Sequence, residues 1–518
     1  MERFLKRVTA VLLVLAVLVP SAAVGTHAKG IAGSMPILSS AHSLRLREDE
    51  TNTQVPFAYS DAYFDQSGYV YSHALARISL RVAAAAFSAG DGLAPQANLA
   101  AAFALLGFAE ERFINFDAPL TDESDKVAYG IAQKSLAADT TLLLLAVRGG
   151  GYGGEWVSNG NVGDAEAHAG FLEASKEVIA AVRGVIESLA AAGQTVKVWL
   201  TGFSRGAAVL DLTAAALDRY AESSANLQAE NLYAYLFATP QVTRDADCKA
   251  ARYDNIFHII NSVDVVMAVP FRKWGYNRHG QENFIRTVRT DEAVYEELQA
   301  DFAALFAGTY EGTLPAHIIP WQQYLVLYMI AKAIPAFLPS NRDMLTFQEP
   351  MKNIIRELFV TQNLHRNLAD GNWLGIYQGL FAGENMERWN EVYPIVEAVL
   401  SPVNWVASWF SASDTPALNP QLPAMLIATV SLAIEALQAE DEEEEAEAAA
   451  PAPTSEPFDW GALWTFLSLL VQSDLLHNFS MMNFTCPHSP ESYIVLLDTF
   501  GAGEAYTDGS YMGLDLNR

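Results

Sequence analysis

Cysteine is nearly absent: Cys248 and Cys486 are the only two in 518 residues. That is too few for a disulfide-dense scaffold, and it argues against a structural zinc site. Positive charge is scarce too. Lys and Arg number 32 against 60 Asp and Glu, for a net charge of −28. Without a basic footprint, nucleic acid is excluded as a partner, and so is purely electrostatic docking on an anionic membrane. The phosphate-cradling pattern G-K-[ST] is missing, as is the ligand order of an EF-hand. No metal or organic cofactor is called for, and no internal repeat is evident. Apolar runs are frequent but short. The first covers only residues 8–19, and about 20 residues are needed to span a bilayer.

Hydrophobic residues make up 51% of the chain, enough for a large core. The length fits two to four domains, or one enlarged domain carrying an insertion. The N-terminus reads as an export signal over residues 1–28. Lys6 and Arg7 precede the apolar run, and small-residue cleavage sites follow at 21–23 and 26–28. The mature protein is therefore expected to be secreted or extracytoplasmic.

The densest information lies in TVKVWLTGFSRGAAVLD, residues 195–211. Val196, Val198 and Leu200 predict a short buried strand, and Ala207 onward predicts a helix. Strand, G-x-S-x-G, helix is the setting of a nucleophile elbow. Gly202 and Gly206 suit a turn too sharp for flanking side chains. Ser204 would project from it as the nucleophile, with the Arg205 amide facing a developing oxyanion. The competing reading is a glycine-rich turn with a buried or capping serine.

Upstream, residues 29–57 read as mixed and partly disordered. Helices are expected over 72–88 and 96–106, and a strand over 127–133. TLLLLAV at 141–147 predicts a central parallel strand buried on both faces. RGGGYGGEW follows it; a glycine loop at that strand end suits an oxyanion loop, with Gly150 or its neighbour supplying a second amide. A long helix over 166–192 leads into the elbow strand, and strands follow at 232–238 and 256–260. Strand and helix in alternation predict a parallel α/β sheet. His168 reads as structural. Asp211 and Asp218, on the elbow helix, read as solvated. Asp264, just past a strand, is a candidate acid, with Asp245, Asp247 and Asp254 as rivals. His279, His317, His365, His477 and His488 follow it. His488 sits in a Pro-flanked loop before a helix expected over 489–500, whereas His477 ends an apolar helical pattern.

Together these pieces resemble the class 3 (fungal-type) lipase family of α/β-hydrolases. The resemblance rests on AVRGG, His168-Ala169-Gly170-Phe171, GFSRGAA, NSVDVVMAVP with Trp274-Gly275-Tyr276, and CPHSPESY near the C-terminus. It implies an α/β-hydrolase fold: a mostly parallel sheet with flanking helices. It also implies Ser204 as nucleophile, Asp264 as acid and His488 as base, with oxyanion amides from Arg205 and Gly150. Tyr152, Phe203 and Trp274 are expected to contact substrate. Two features depart from the family pattern. Gly150 stands where a hydroxyl residue is usual, and the Asp264–His488 interval is long enough to require an insertion.

The expected organisation is a core over 29–290, a mainly helical cap over 291–480 with an acidic linker at 440–457, and the rest of the core over 481–518. Because both cysteines are expected near the triad end of the sheet in an exported chain, a Cys248–Cys486 disulfide is expected. The expected function is a secreted serine hydrolase of lipid carboxylic esters, with lipid or another ester as substrate, interfacial contact with lipid, and no obligate protein partner. The alternatives are an acyltransferase or phospholipase on the same triad, or an exported binding protein on a hydrolase scaffold.

Overall fold

The computed structural model describes residues 30–38, 52–87, 94–117, 125–150, 153–261, 264–285, 292–306, 345, 348, 352, 356, 488–501 and 506–507. The export signal, the 440–457 linker and most of the 291–480 insertion lie outside the described residues. So do His317, His365, His477, Cys486 and Tyr152.

The chain opens with a hairpin, β1 (Ile31–Leu38) and β2 (Asn52–Tyr59), paired antiparallel. This corrects the reading of 29–57 as mixed: Met35, Ile37, Val55, Phe57 and Tyr59 put one face into the core. Helices α1 (His73–Ala86) and α2 (Ala94–Leu105) follow, then β3 (Ala109–Ile114), β4 (Tyr129–Ala137) and β5 (Thr140–Val147). Next come α3 (Gly153–Asn159), α4 (Ala169–Ala191), β6 (Thr195–Phe203), α5 (Arg205–Ala221), β7 (Leu232–Phe237), β8 (Ile256–Asn261) and β9 (Gln281–Ile285). The described chain ends with α6 (Glu292–Phe306), α7 (Pro490–Thr499) and the short β10 (Tyr506–Thr507).

One eight-stranded sheet carries the fold, in the order β10-β9-β8-β7-β6-β5-β4-β3. β5 to β9 pair parallel, and the outer pairs are antiparallel. The continuous apolar run of β5 is explained by burial on both faces. Leu142, Leu144 and Ala146 join the layer formed by the hairpin, α1, α2, α6 and α7. Leu143, Leu145 and Val147 join the layer of α4 and α5. β6 divides likewise, with Trp199 and Phe203 on the first face and Val196, Val198 and Leu200 on the second. This is the α/β-hydrolase architecture expected.

The close approach of β5 to the β6–α5 turn depends on one glycine. A Cβ on Gly206 would stand 2.4 Å from the Val147 carbonyl oxygen and 2.6 Å from that of Arg148. Both are backbone atoms of a central strand end and cannot swing aside. Gly206→Ala is therefore expected to destabilise the fold by at least about 1–3 kcal/mol, the usual cost of overpacking. Urea unfolding measures it; an unchanged midpoint would show that the strand end yields.

Candidate active site

The site forms where the parallel strands end. Gly202 faces Val147 across the β5–β6 ladder, and the chain then turns at Ser204 with φ 54° and ψ −125°. A non-glycine residue there is strained, and such strain persists only where the surroundings enforce it. They do: the Ser204 amide donates to the Phe237 carbonyl at 2.9 Å, and the Ser204 carbonyl accepts from Ala208 at 3.0 Å. Although Ser204 is the N-cap of α5, its hydroxyl makes no capping bond. That removes the capping-serine reading.

The hydroxyl meets His488 instead. Nε2 of His488 lies 2.8 Å from Ser204 Oγ, and Nδ1 lies 2.7 Å from Asp264 Oδ2. The imidazole thus bridges an alcohol and a carboxylate that are 60 residues apart in sequence, read as positions 204 and 264. Asp264 caps a 3-10 turn after β8, accepting from the Val266 amide at 2.9 Å through Oδ1. Asp264 is buried, while the His488 side chain keeps 17% exposure, so solvent reaches the ring but hardly the acid.

His488 directly precedes α7, and the docking of that helix fixes the ring. Ser489 caps the helix. At its far end Asp498 accepts from Arg77 Nε at 2.8 Å and from buried Arg81 Nη2 at 2.5 Å, both on α1. Midway, Tyr493 donates its hydroxyl proton to Asp264 Oδ2 at 2.9 Å and accepts from the Asn261 amide at 3.0 Å. Burial and the neighbouring carboxylate push the Tyr493 phenol well above its ordinary value, so it remains a donor. Tyr493 closes the CPHSPESY motif, but no role can be read for it there, because an aromatic on an amphipathic helix reads as core. Tyr493→Phe removes one of the donors holding Asp264 and is expected to lower kcat roughly tenfold, since a hydrogen bond to a charged group is worth about 1.5–3 kcal/mol. An unchanged kcat in steady-state ester hydrolysis would show that the other donors suffice.

Phe203 and Trp274 do not face an open site. Phe203 is fully buried and packs against Phe87, His488 and Tyr493 at centroid distances of 5.4, 5.4 and 5.3 Å. It floors the catalytic ring rather than the substrate. Trp274 is buried edge-on against Phe271 at 4.8 Å. The expectation of substrate contact is corrected for both; an aromatic beside a motif can equally well be the packing that holds it.

The oxyanion candidates sit together. Arg205 opens α5, so its N–H points out of the positive end of the helix. The glycine loop leaves β5 against the elbow: a Cβ on Gly149 would lie 3.1 Å from the Phe203 carbonyl oxygen. Gly150 follows, and a Cβ there would stand 4.0 Å from Asn159 Nδ2. His168 is structural. Burial and then the Arg205 charge lower it to about 3, so the neutral ring donates from Nε2 to the Asn159 carbonyl at 3.1 Å.

Two acids expected to be solvated are buried. Asp211 accepts from the His279 amide at 3.0 Å and from its Nδ1 at 3.0 Å. Burial alone would raise its carboxyl, but His279 and His258 outweigh that and hold it below the ordinary carboxylate range. Asp218 pairs with Arg252 at 2.8 Å. The rival acids do not approach His488 in the structure. Asp254 precedes β8, at the opposite end of the strand from Asp264, and Asp245 lies 3.8 Å from His279. Cys248 is at that same far end, its carbonyl accepting from Gly280 just before β9. Its thiol is buried and free, and burial raises its pKa. Cys486, its expected disulfide partner, lies outside the described residues. Among the described residues no cluster of His, Cys, Asp and Glu is arranged to hold a metal ion, and no helix is long and apolar enough to cross a membrane.

Residues 150–274 match the family model for class 3 lipases. A comparison with curated proteins finds no match. Among solved structures, the chain is similar to a fungal lipase in complex with an inhibitor (20% identity, 42% of this chain and 80% of that one, TM-score 0.33). It is also similar to the Rhizomucor miehei triacylglyceride lipase (19% identity, 42% and 80%, TM-score 0.30). A third is the lipase of Rhizopus microsporus var. chinensis (16% identity, 51% and 85%, TM-score 0.31).

Proposed function

We propose, from the match of residues 150–274 to the class 3 lipase family, that Ser204, His488 and Asp264 cleave acyl esters of lipids through an acyl-enzyme. The observation that carries this is the single imidazole bonded to the hydroxyl at 2.8 Å and to the carboxylate at 2.7 Å. As Ser204 Oγ attacks the ester carbonyl, His488 Nε2 takes its proton. The ring becomes an imidazolium held by Asp264, which keeps its own charge. Negative charge gathers on the former carbonyl oxygen, where the Arg205 and Gly150 amides are the donors. His488 then gives its proton to the leaving alcohol. A water, deprotonated by the same ring, releases the acid and restores Ser204.

The acidic surface and the lack of a basic patch favour an uncharged or zwitterionic ester over an anionic one. The basic and apolar N-terminal stretch supports export of the enzyme, and N-terminal sequencing of the secreted form should start near residue 28. Purified protein should hydrolyse nitrophenyl butyrate and an emulsified triacylglycerol, and release fatty acid at the expense of added water. Product appearing only as a transferred ester in the presence of an alcohol would make it an acyltransferase. Absence of turnover on esters of every chain length would leave a binding scaffold.

A further inference from the structure

The guanidinium of Arg205 is buried, 1% exposed, directly behind the candidate nucleophile. Nη1 donates to Asn159 Oδ1 at 2.8 Å. Nη2 donates to Ser158 Oγ at 2.9 Å and to the Lys126 carbonyl at 3.3 Å. Its plane also covers the Phe171 ring of α4 at 5.6 Å. These partners belong to α3, to the segment before β4, and to α4. Only a rigid planar fork can serve acceptors on several elements at once.

The same Asn159 whose oxygen accepts the Arg205 hydrogen bond holds its Nδ2 beside Gly150, 4.0 Å from where a Cβ would stand. The glycine loop is therefore tied at both ends. At its start, the Arg148 amide donates to Ala128 at 2.9 Å, and Arg148 Nη2 meets buried Glu155 at 3.1 Å. At its end, α3 is held to the elbow by the Arg205 fork. We infer that the Arg205 side chain, acting through Asn159, is a positioning residue that sets the distance between the two oxyanion donors, the amides of Arg205 itself and of Gly150. One residue then offers a donor with its backbone and places the other donor with its side chain. This meets the departure noted in the sequence: with glycine at position 150 there is no side-chain hydroxyl to help the oxyanion, so the placing of backbone amides carries more of the stabilisation.

The inference rests on the proposed triad. It is tested by ester hydrolysis in wild type, Arg205→Lys, Arg205→Met, Asn159→Ala and the Arg205→Met/Asn159→Ala double variant. Rates are expressed per molecule titrated to completion with a fluorophosphonate. A misplacement of about 1 Å costs on the order of a hundredfold in rate. Each single variant is therefore expected to lose 10- to 100-fold in kcat with KM within about threefold, and to react with the fluorophosphonate proportionately more slowly. The double variant is expected to be no slower than Arg205→Met, because both changes cut the same connection. Lys should not rescue, since an ammonium keeps the charge but not the fork. The inference is overturned if Arg205→Lys and Asn159→Ala keep kcat within threefold of wild type, or if the losses multiply in the double variant. Asn159→Ala leaves Arg205 in place, so it decides the matter even where Arg205→Met does not fold. A wild type that never reacts with the fluorophosphonate strikes the triad itself and is separable from failure of the connection alone.

Discussion

Asp264→Asn is expected to lower kcat about ten-thousandfold while the protein stays folded. Asp264 accepts from three directions: the Val266 amide, the Tyr493 hydroxyl and His488 Nδ1. An asparagine could keep the first through its oxygen. Its NH2 would then face Nδ1, and two donors cannot meet there. The ring must turn or take the tautomer with its proton on Nε2, which leaves no base for the Ser204 proton. Asp254→Asn is the matched control, since Asp254 lies at the far end of β8, where its carbonyl accepts from Gln281 and its amide donates to Ala251. It should leave kcat unchanged. An active Asp264→Asn beside an inactive Asp254→Asn would reverse the assignment.

Ser204→Ala is expected to have a larger effect still, on the order of a millionfold in kcat, because the members of such a relay fail together. What survives is the rate from substrate binding and oxyanion contacts alone, roughly 10³–10⁴ above water. The fold should be unaffected. Alanine can sit in the same turn, the hydroxyl makes no capping bond, and Gly202 and Gly206 still provide the room. Turnover of nitrophenyl butyrate by the two variants, alongside their melting curves, checks this. Near wild-type turnover by Ser204→Ala would remove the nucleophile from the account.

Much of the sheet was legible because its signals are local. β5 is apolar without a break since both faces are covered, and the elbow announces itself through glycines that the packing demands. The edges were harder. β3 reads AEERFI, with four exposed residues at its start, and charge hides the strand. β1 and β2 were missed because a hairpin half open to solvent has little apolar surface to declare. In the site, Ser204, Asp264 and His488 could be named from motifs, yet their support could not. Tyr493 and Phe203 look like ordinary core aromatics until the fold brings α7 over the elbow. Asp211 looks solvated until His279, 68 residues later, closes over it. The Arg205 side chain was passed over for its backbone, because its partners at positions 126, 158 and 159 are far away in sequence. Pairings of that kind come from topology, and no periodicity announces them.

The most direct test is covalent. Wild-type protein treated with a fluorophosphonate and mapped by peptide mass spectrometry should carry one adduct, on Ser204. Nucleophilicity there depends on the His488 bond seen at 2.8 Å. The adduct should vanish in Ser204→Ala and form far more slowly in Asp264→Asn. No adduct on the folded wild type, or an adduct that persists in Ser204→Ala, would contradict the account.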